Sequence, residues 1–270
     1  MGRGPIRVLF CGCDGLFSAL VLRRLLVCDG VEVVGVVRST RLLRPGYGFL
    51  RGAWHQVRQS GIIYALYLWM VTSGVEVLSR CSLRRLVRSH GIPILATRNL
   101  NDSIGLAFVA RAQPDVLISA FFNQRIGDEV LGLPGMGGLN IHPSLLPEFR
   151  GVDPVFFARL RGAPEMGVTV HRLERRLDMG RILVQQPLEI PAADSVFRTT
   201  ARLFAVGGHL LAAALVNPLS RQAGYPQPES GSYDSWPSAD QVRLLLRRGG
   251  ALVRLRDLSW VWALDEEGGA

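Results

Sequence analysis

Short apolar runs alternate with helically spaced segments through the first half of the chain, and that alternation constrains the fold most. Residues 7–12 (RVLFCG) are an apolar run that stops at glycine, and residues 16–26 (LFSALVLRRLL) follow with helical spacing. Residues 31–37 (VEVVGVV), 91–95 (GIPIL), 115–122 (DVLISAFF) and 137–143 (GGLNIHP) read as further strands. A helix over 101–113, capped by Asn101 or Asp102, falls between the third and the fourth. Strands apolar on both faces and separated by helices predict an α/β fold with a mainly parallel twisted sheet flanked by helices. In such sheets ligands bind beyond the carboxyl ends of the strands.

The second half continues the pattern with a change. A helix is predicted over 153–162, then two strands around LDMGR whose short connection makes them antiparallel. Residues 195–216 form a long helix with Phe197, Ala201, Phe204, Gly208 and Leu211 as its apolar stripe. From about 218 the chain turns rich in Pro, Gly and Ser and reads as a linker before one short helix. The expected organisation is a catalytic domain over 1–217, with a helical insert at about 42–90, and a small C-terminal extension over 218–270.

Several chemistries are excluded early. All 31 basic residues are arginine, so neither Schiff-base chemistry nor a Walker lysine is available. The formal charge of +9 favours anionic partners, although biased base composition is the plainer source of the arginines. The first strand-helix turn, CGCDGLF, lacks the G-x-G-x-x-G fingerprint, and no acidic residue ends the second strand, which argues against a nicotinamide cofactor. Gly12 and Gly15 are read there as turn residues. Four cysteines without paired spacing suggest neither a metal site nor a disulfide scaffold, and with no signal peptide at the start a cytoplasmic location is expected.

The polar residues that end the fifth predicted strand carry the chemistry. Asn140 and His142 lie two apart, hence on one face, and Pro143 then breaks the strand. Asp178 follows 36 residues later in LDMGR. Together, Asn140-Ile-His142, Ser144-Leu-Leu-Pro147, Arg150-Gly151 and Asp178-Met-Gly180 resemble the signature of the folate-dependent formyltransferases, over roughly residues 6–215. The resemblance implies a Rossmann-like formyltransferase fold and transfer of a formyl group from 10-formyltetrahydrofolate to an amine. Asn140 would stabilise the oxyanion, His142 would move the proton, and Asp178 would orient and tune His142. The resemblance also gives the pterin ring to the stretch 121–127, with Asn123, Gln124 and Ile126, and to the loop at 172–178, with Leu177 and, just beyond it, Gly180. Ser144 and Arg150 are candidates for substrate binding, or for holding their own loop. His171 and His209 read as structural. A satisfied polar cluster in the core is the bland alternative to the whole set.

The acceptor is not written in these motifs. An amino sugar nucleotide or a secondary-metabolite amine, a small molecule in either case, suits a catalytic core with a short extension. Transfer RNA is not expected as a partner, because the 52 residues after 218 are too few for the β-barrel of the transfer-RNA enzymes. The same three residues would serve a formyltetrahydrofolate hydrolase, and an inactive scaffold protein is the reading from another class. The insert centres on IIYALYLWMV, ten apolar residues between arginines and too short to span a bilayer. Packing over the sheet is its first reading, a homodimer contact the second. The third is contact of residues 49–88 with a membrane surface, which would make the protein peripheral to the membrane.

Overall fold

The computed structural model describes residues 4–41, 49–74, 81–217, 223–257 and 259–261. Strands β1 (Ile6–Cys13), β2 (Val31–Ser39), β3 (Ile94–Thr97), β4 (Val116–Ala120) and β5 (Gly138–His142) are parallel. A two-residue strand β6 (Arg150–Gly151) follows, and β7 (Met166–Arg172) and β8 (Ile182–Leu188) then close the main sheet in antiparallel fashion. The order is β3-β2-β1-β4-β5-β7-β8, so chain direction across the sheet reverses between β1 and β4. The carboxyl ends of β1, β4 and β5 therefore converge on one crevice, the expected ligand edge of an open sheet. This is the mainly parallel, helix-flanked architecture that the alternation predicts, and it agrees with the Rossmann-like fold that the resemblance implies.

Two helices close one face. Helix α1 (Leu16–Leu26) and the long helix Val196–Val216 pack on each other and on the sheet. The long helix starts where Ser195 accepts the Arg198 amide, and all five residues of its expected stripe are buried. Its Gly207 and Gly208 let it approach closely: a β-carbon at 207 would lie 2.5 Å from Ile141 Cγ2. The seam is aromatic. Phe17 stacks on Phe204 at 5.7 Å and meets Phe121 edge-on at 4.9 Å. Burying each such ring contributes about 1.5–3 kcal/mol.

Over residues 49–74 the insert is one kinked helix, α2 (Phe49–Trp69), followed by a π turn at Met70–Gly74. The kink falls at Gly61, whose φ of 81° is open to glycine. After α3 (Leu83–Ser89) and α4 (Ser103–Ala112, capped by Asp102) come α5 (Asp128–Leu131) and α6 (Pro154–Arg161). The long helix is thus α7, and α8 (Ala239–Arg247) packs against α2. The insert also reaches the head of α1. The Val71 carbonyl sits where a β-carbon of Gly15 would be, at 2.2 Å, and Gly15 has φ +110°. Gly15 thus does more than turn the chain, since it admits the insert. The outward face of α2 presents Trp54, Ile62, Ile63, Leu66 and Trp69 to solvent. Residues 42–48 and 75–80, both within the insert, lie outside the described residues.

Candidate active site

Asn140 and His142 do share one face at the end of β5. Antiparallel pairing sets His171 of β7 directly opposite Asn140. The tautomer of His171 follows from its neighbours. Its Nδ1 lies 2.8 Å from the Arg172 carbonyl, which can only accept, so Nδ1 carries the proton. Nε2 must then accept, and the Asn140 Nδ2 amide donates to it at 3.1 Å. Burial pushes the His171 pKa well below its ordinary value, which keeps the ring neutral and the acceptor in place. Asn140 is therefore locked with its amino group toward His171, leaving its second N–H to point elsewhere.

His142 is almost wholly buried, at 4 % exposure. Its Nε2 donates to the Phe149 carbonyl at 2.9 Å, and its Nδ1 lies 3.6 Å from Asp178 Oδ1. With Nε2 already donating, a proton gained by the ring goes to Nδ1, opposite the carboxylate. The other Asp178 oxygen accepts the Gly151 amide at 2.9 Å. Asp178 is itself held at φ +56°, and Gly180 has no room for a side chain. A β-carbon at 180 would lie 1.8 Å from the Arg172 carbonyl, the group that fixes His171.

Arg150 and Ser144 are turned inward. The Ser144 hydroxyl donates to the Glu148 carbonyl at 2.7 Å and closes the turn after β5. The Arg150 guanidinium reaches Gln227 Oε1 at 3.1 Å and the carbonyls of Pro228 and Ser230. Gln227 in turn donates to the carbonyls of Asp178 and Gly180 at 2.9 and 2.7 Å. Ser144 is thus bonded within its own loop, and Arg150 ties that loop to residues 227–230. The stretch expected to be a linker supplies these partners, and β9 (Tyr233–Asp234) pairs with β6. It belongs with the site because the Arg150-Gly151 strand needs an edge partner for its backbone groups. Arg150→Ala is expected to lower unfolding stability by about 1–3 kcal/mol, by stranding buried acceptors. Urea unfolding checks it, and Arg150→Lys should recover only part, since an ammonium lacks the fork.

The stretches expected to face the pterin are placed as follows. Asn123 accepts from Ser39 at 2.5 Å and donates to the Arg41 carbonyl at 2.8 Å. Gln124 is buried and bonds Ser39, the Thr97 carbonyl and the Leu100 amide. Ile126 is buried in the cluster of β1, β4 and α4. These side chains tie the end of β4 to the ends of β2 and β3, so a ring held here would meet backbone groups. Leu177, half exposed beside Asp178, is the one apolar candidate open to solvent.

Sequence reasoning missed His171, Gln227 and the Phe149 carbonyl. Only His171 left a signal, as a histidine that a short strand return could bring beside Asn140. The assembled group can donate a neutral amide hydrogen, move a proton at an imidazole and hold the resulting charge with a carboxylate.

Residues 82–215 match the family described as Formyl transferase. The methionyl-tRNA formyltransferase of Roseiflexus sp. (strain RS-1) is 32 % identical over 248 residues, which is 92 % of this chain and 66 % of that protein. Among solved structures, a sugar N-formyltransferase from Shewanella sp FDAARGOS_354 shares the fold with a TM-score of 0.55 at 18 % identity, over 85 % of this chain and 76 % of that one. A sugar 3N-formyl transferase determined with dTDP and 5-N-formyl-THF has a TM-score of 0.54 at 17 % identity, over 87 % and 70 %. The chain spans 66 % of the length of the Roseiflexus protein and 56 % of the methionyl-tRNA formyltransferase of Bacillus cereus (strain B4264), to which it is 32 % identical over 206 residues, or 76 % of this chain. These relatives overturn the expectation that leaves transfer RNA out, because they are methionyl-tRNA formyltransferases. The number of residues after 218 does not decide the acceptor, since the match to the Roseiflexus protein itself runs past that point. The expected restriction to a small-molecule partner falls with it.

Proposed function

The chain belongs to the formyl transferase family, and from that premise we propose that it transfers a formyl group from 10-formyltetrahydrofolate to an amine. The donor brings the formyl carbon, and the rest of the chemistry falls to Asn140, His142 and Asp178. As the amine nitrogen bonds to the formyl carbon, negative charge develops on the formyl oxygen. The free N–H of Asn140 answers that charge with a neutral donor that His171 has already aimed. The amine loses a proton and the departing folate nitrogen gains one. His142 accepts and returns it at Nδ1, where the Asp178 carboxylate at 3.6 Å offsets the imidazolium charge. Catalytic contacts of this kind are commonly long before substrate closes them. The observation that carries the reading is this single cluster, with a donor and a proton carrier on one strand end and a carboxylate behind the carrier.

The backbone of 121–127 and the side of Leu177 are the proposed resting place of the pterin ring, with Gly180 keeping the adjoining turn tight. Two acceptors deserve offering. Methionyl-tRNA is named by the sequence relatives and a sugar by the structural neighbours, and we test the sugar as an amino sugar nucleotide. The protein is incubated with 10-formyltetrahydrofolate and each amine, and tetrahydrofolate, formate and formylated amine are measured. Tetrahydrofolate formed in step with formylated amine is the expected result, and whichever amine is consumed assigns the acceptor. Formate release that ignores every amine would overturn transfer in favour of hydrolysis.

A further inference from the structure

Helix α2 is amphipathic in an unusual sense. It turns Ile62, Ile63, Leu66 and Trp69 outward and buries the two phenols, Tyr64 and Tyr67. Tyr64 is fully buried against Phe156 and Trp236, and its hydroxyl donates to Asp153 Oδ2 at 2.7 Å. Asp153 caps α6 through its other oxygen, which accepts the Phe156 amide at 3.1 Å. Residues 149–153 form a strap in which alternate positions do different work. The Phe149 carbonyl accepts from His142, the Gly151 amide donates to Asp178, and the Asp153 carboxylate accepts from Tyr64. On its other edge the strap is bonded to Ser232 and Asp234. The strap runs close against that edge at its centre, where a β-carbon at Gly151 would lie 1.9 Å from the Asp234 carbonyl.

We propose that Tyr64 is a positioning residue, through which the insert fixes the strap that orients His142 and Asp178. Its effect on turnover rests on the formyl-transfer reading above, whereas its effect on the strap does not. Burial raises the Asp153 pKa, while the Tyr64 hydroxyl works against that rise by stabilising the carboxylate. Burial and the nearby carboxylate also keep the phenol protonated, so it remains a donor. Removing the hydroxyl leaves a buried carboxylate with the Phe156 amide as its remaining donor in this contact set, and the strap loses its anchor to α2. A small displacement of a catalytic pair can cost far more rate than stability.

Tyr67 provides the comparison. It is buried on the same helix, beside Thr200 of α7, and it feels the Asp153 carboxylate through its charge rather than through a hydrogen bond. Tyr64→Phe and Tyr67→Phe would be followed by hydrogen–deuterium exchange over residues 149–156 and by steady-state kinetics with the acceptor found above. Tyr64→Phe should speed exchange at the amides of Gly151 and Val152 and lower kcat about tenfold, with KM for the donor unchanged. Tyr67→Phe should lower melting temperature with neither effect. Wild-type exchange in Tyr64→Phe overturns the proposal. So does a kcat loss matched by Tyr67→Phe, or a change in KM alone, which would make Tyr64 a pocket wall. If Tyr64→Phe does not fold, Asp153→Asn reads the same link from the strap side by the same criteria. A wild-type protein without turnover would refute the formyl-transfer reading, while the exchange data would still decide the proposal.

Discussion

His142→Ala is expected to lower kcat for formyl transfer by about 10²–10⁴-fold, the range a positioned proton carrier supplies. The geometry leaves no substitute nearby. His171 is the other imidazole in the cluster, with ring centroids 6.2 Å apart, but its Nδ1 proton is bound to the Arg172 carbonyl and burial holds it neutral. The chain has no lysine that could take over. Asp178 alone would have to accept the amine proton, and it already accepts the Gly151 amide. The rate is read as tetrahydrofolate release under saturating donor and acceptor. A loss of less than tenfold would show that the proton leaves by another route and would remove His142 from its role. Asp178→Asn should fall between, because an amide can still accept from Gly151 but no longer offsets an imidazolium.

Much of this arrangement could be read from the sequence because its parts are local or periodic. The strands β1, β2, β4 and β5 are apolar runs, with glycine near the end of β1 and proline after β5, and the Asp102 and Ser195 caps mark helix starts within a residue. Asn140 and His142 share a face by the two-residue period alone. Asp178 was visible as a motif, and it reaches His142 because β7 returns antiparallel along β5 before the LDMGR turn. The missed parts lack any local sign. Gln227 lies 77 residues from Arg150, in a stretch whose composition reads as linker, yet it clasps the turn that carries Asp178. The insert misleads in another way. A run of ten apolar residues says that something is covered, but hydropathy cannot say that the phenols go in and the isoleucines stay out. His171 reads as structural in isolation, and only strand register reveals that it faces Asn140.

That register makes Asn140 the second residue with a large expected effect. Asn140→Ala should lower kcat by about 10²–10³-fold, the usual cost of losing one oxyanion donor. Asn140→Asp is nearly isosteric and should be no better, because a carboxylate has no hydrogen to donate and adds charge where negative charge develops. The aspartate has a second consequence. In the wild type, burial depresses the His171 pKa below its ordinary 6.5, so below that pH the unfolded chain takes up a proton that the folded chain refuses. Wild-type stability should therefore fall as pH drops through 6.5. A carboxylate 3.1 Å from Nε2, in place of an amide, raises the folded-state pKa and shrinks that acid loss. Urea midpoints at pH 5 and pH 7 should then differ less in Asn140→Asp than in the wild type, while both variants remain slow. An Asn140→Ala protein within tenfold of wild-type turnover would mean that the oxyanion is met by other donors, and that His171 steadies a strand rather than a catalytic amide.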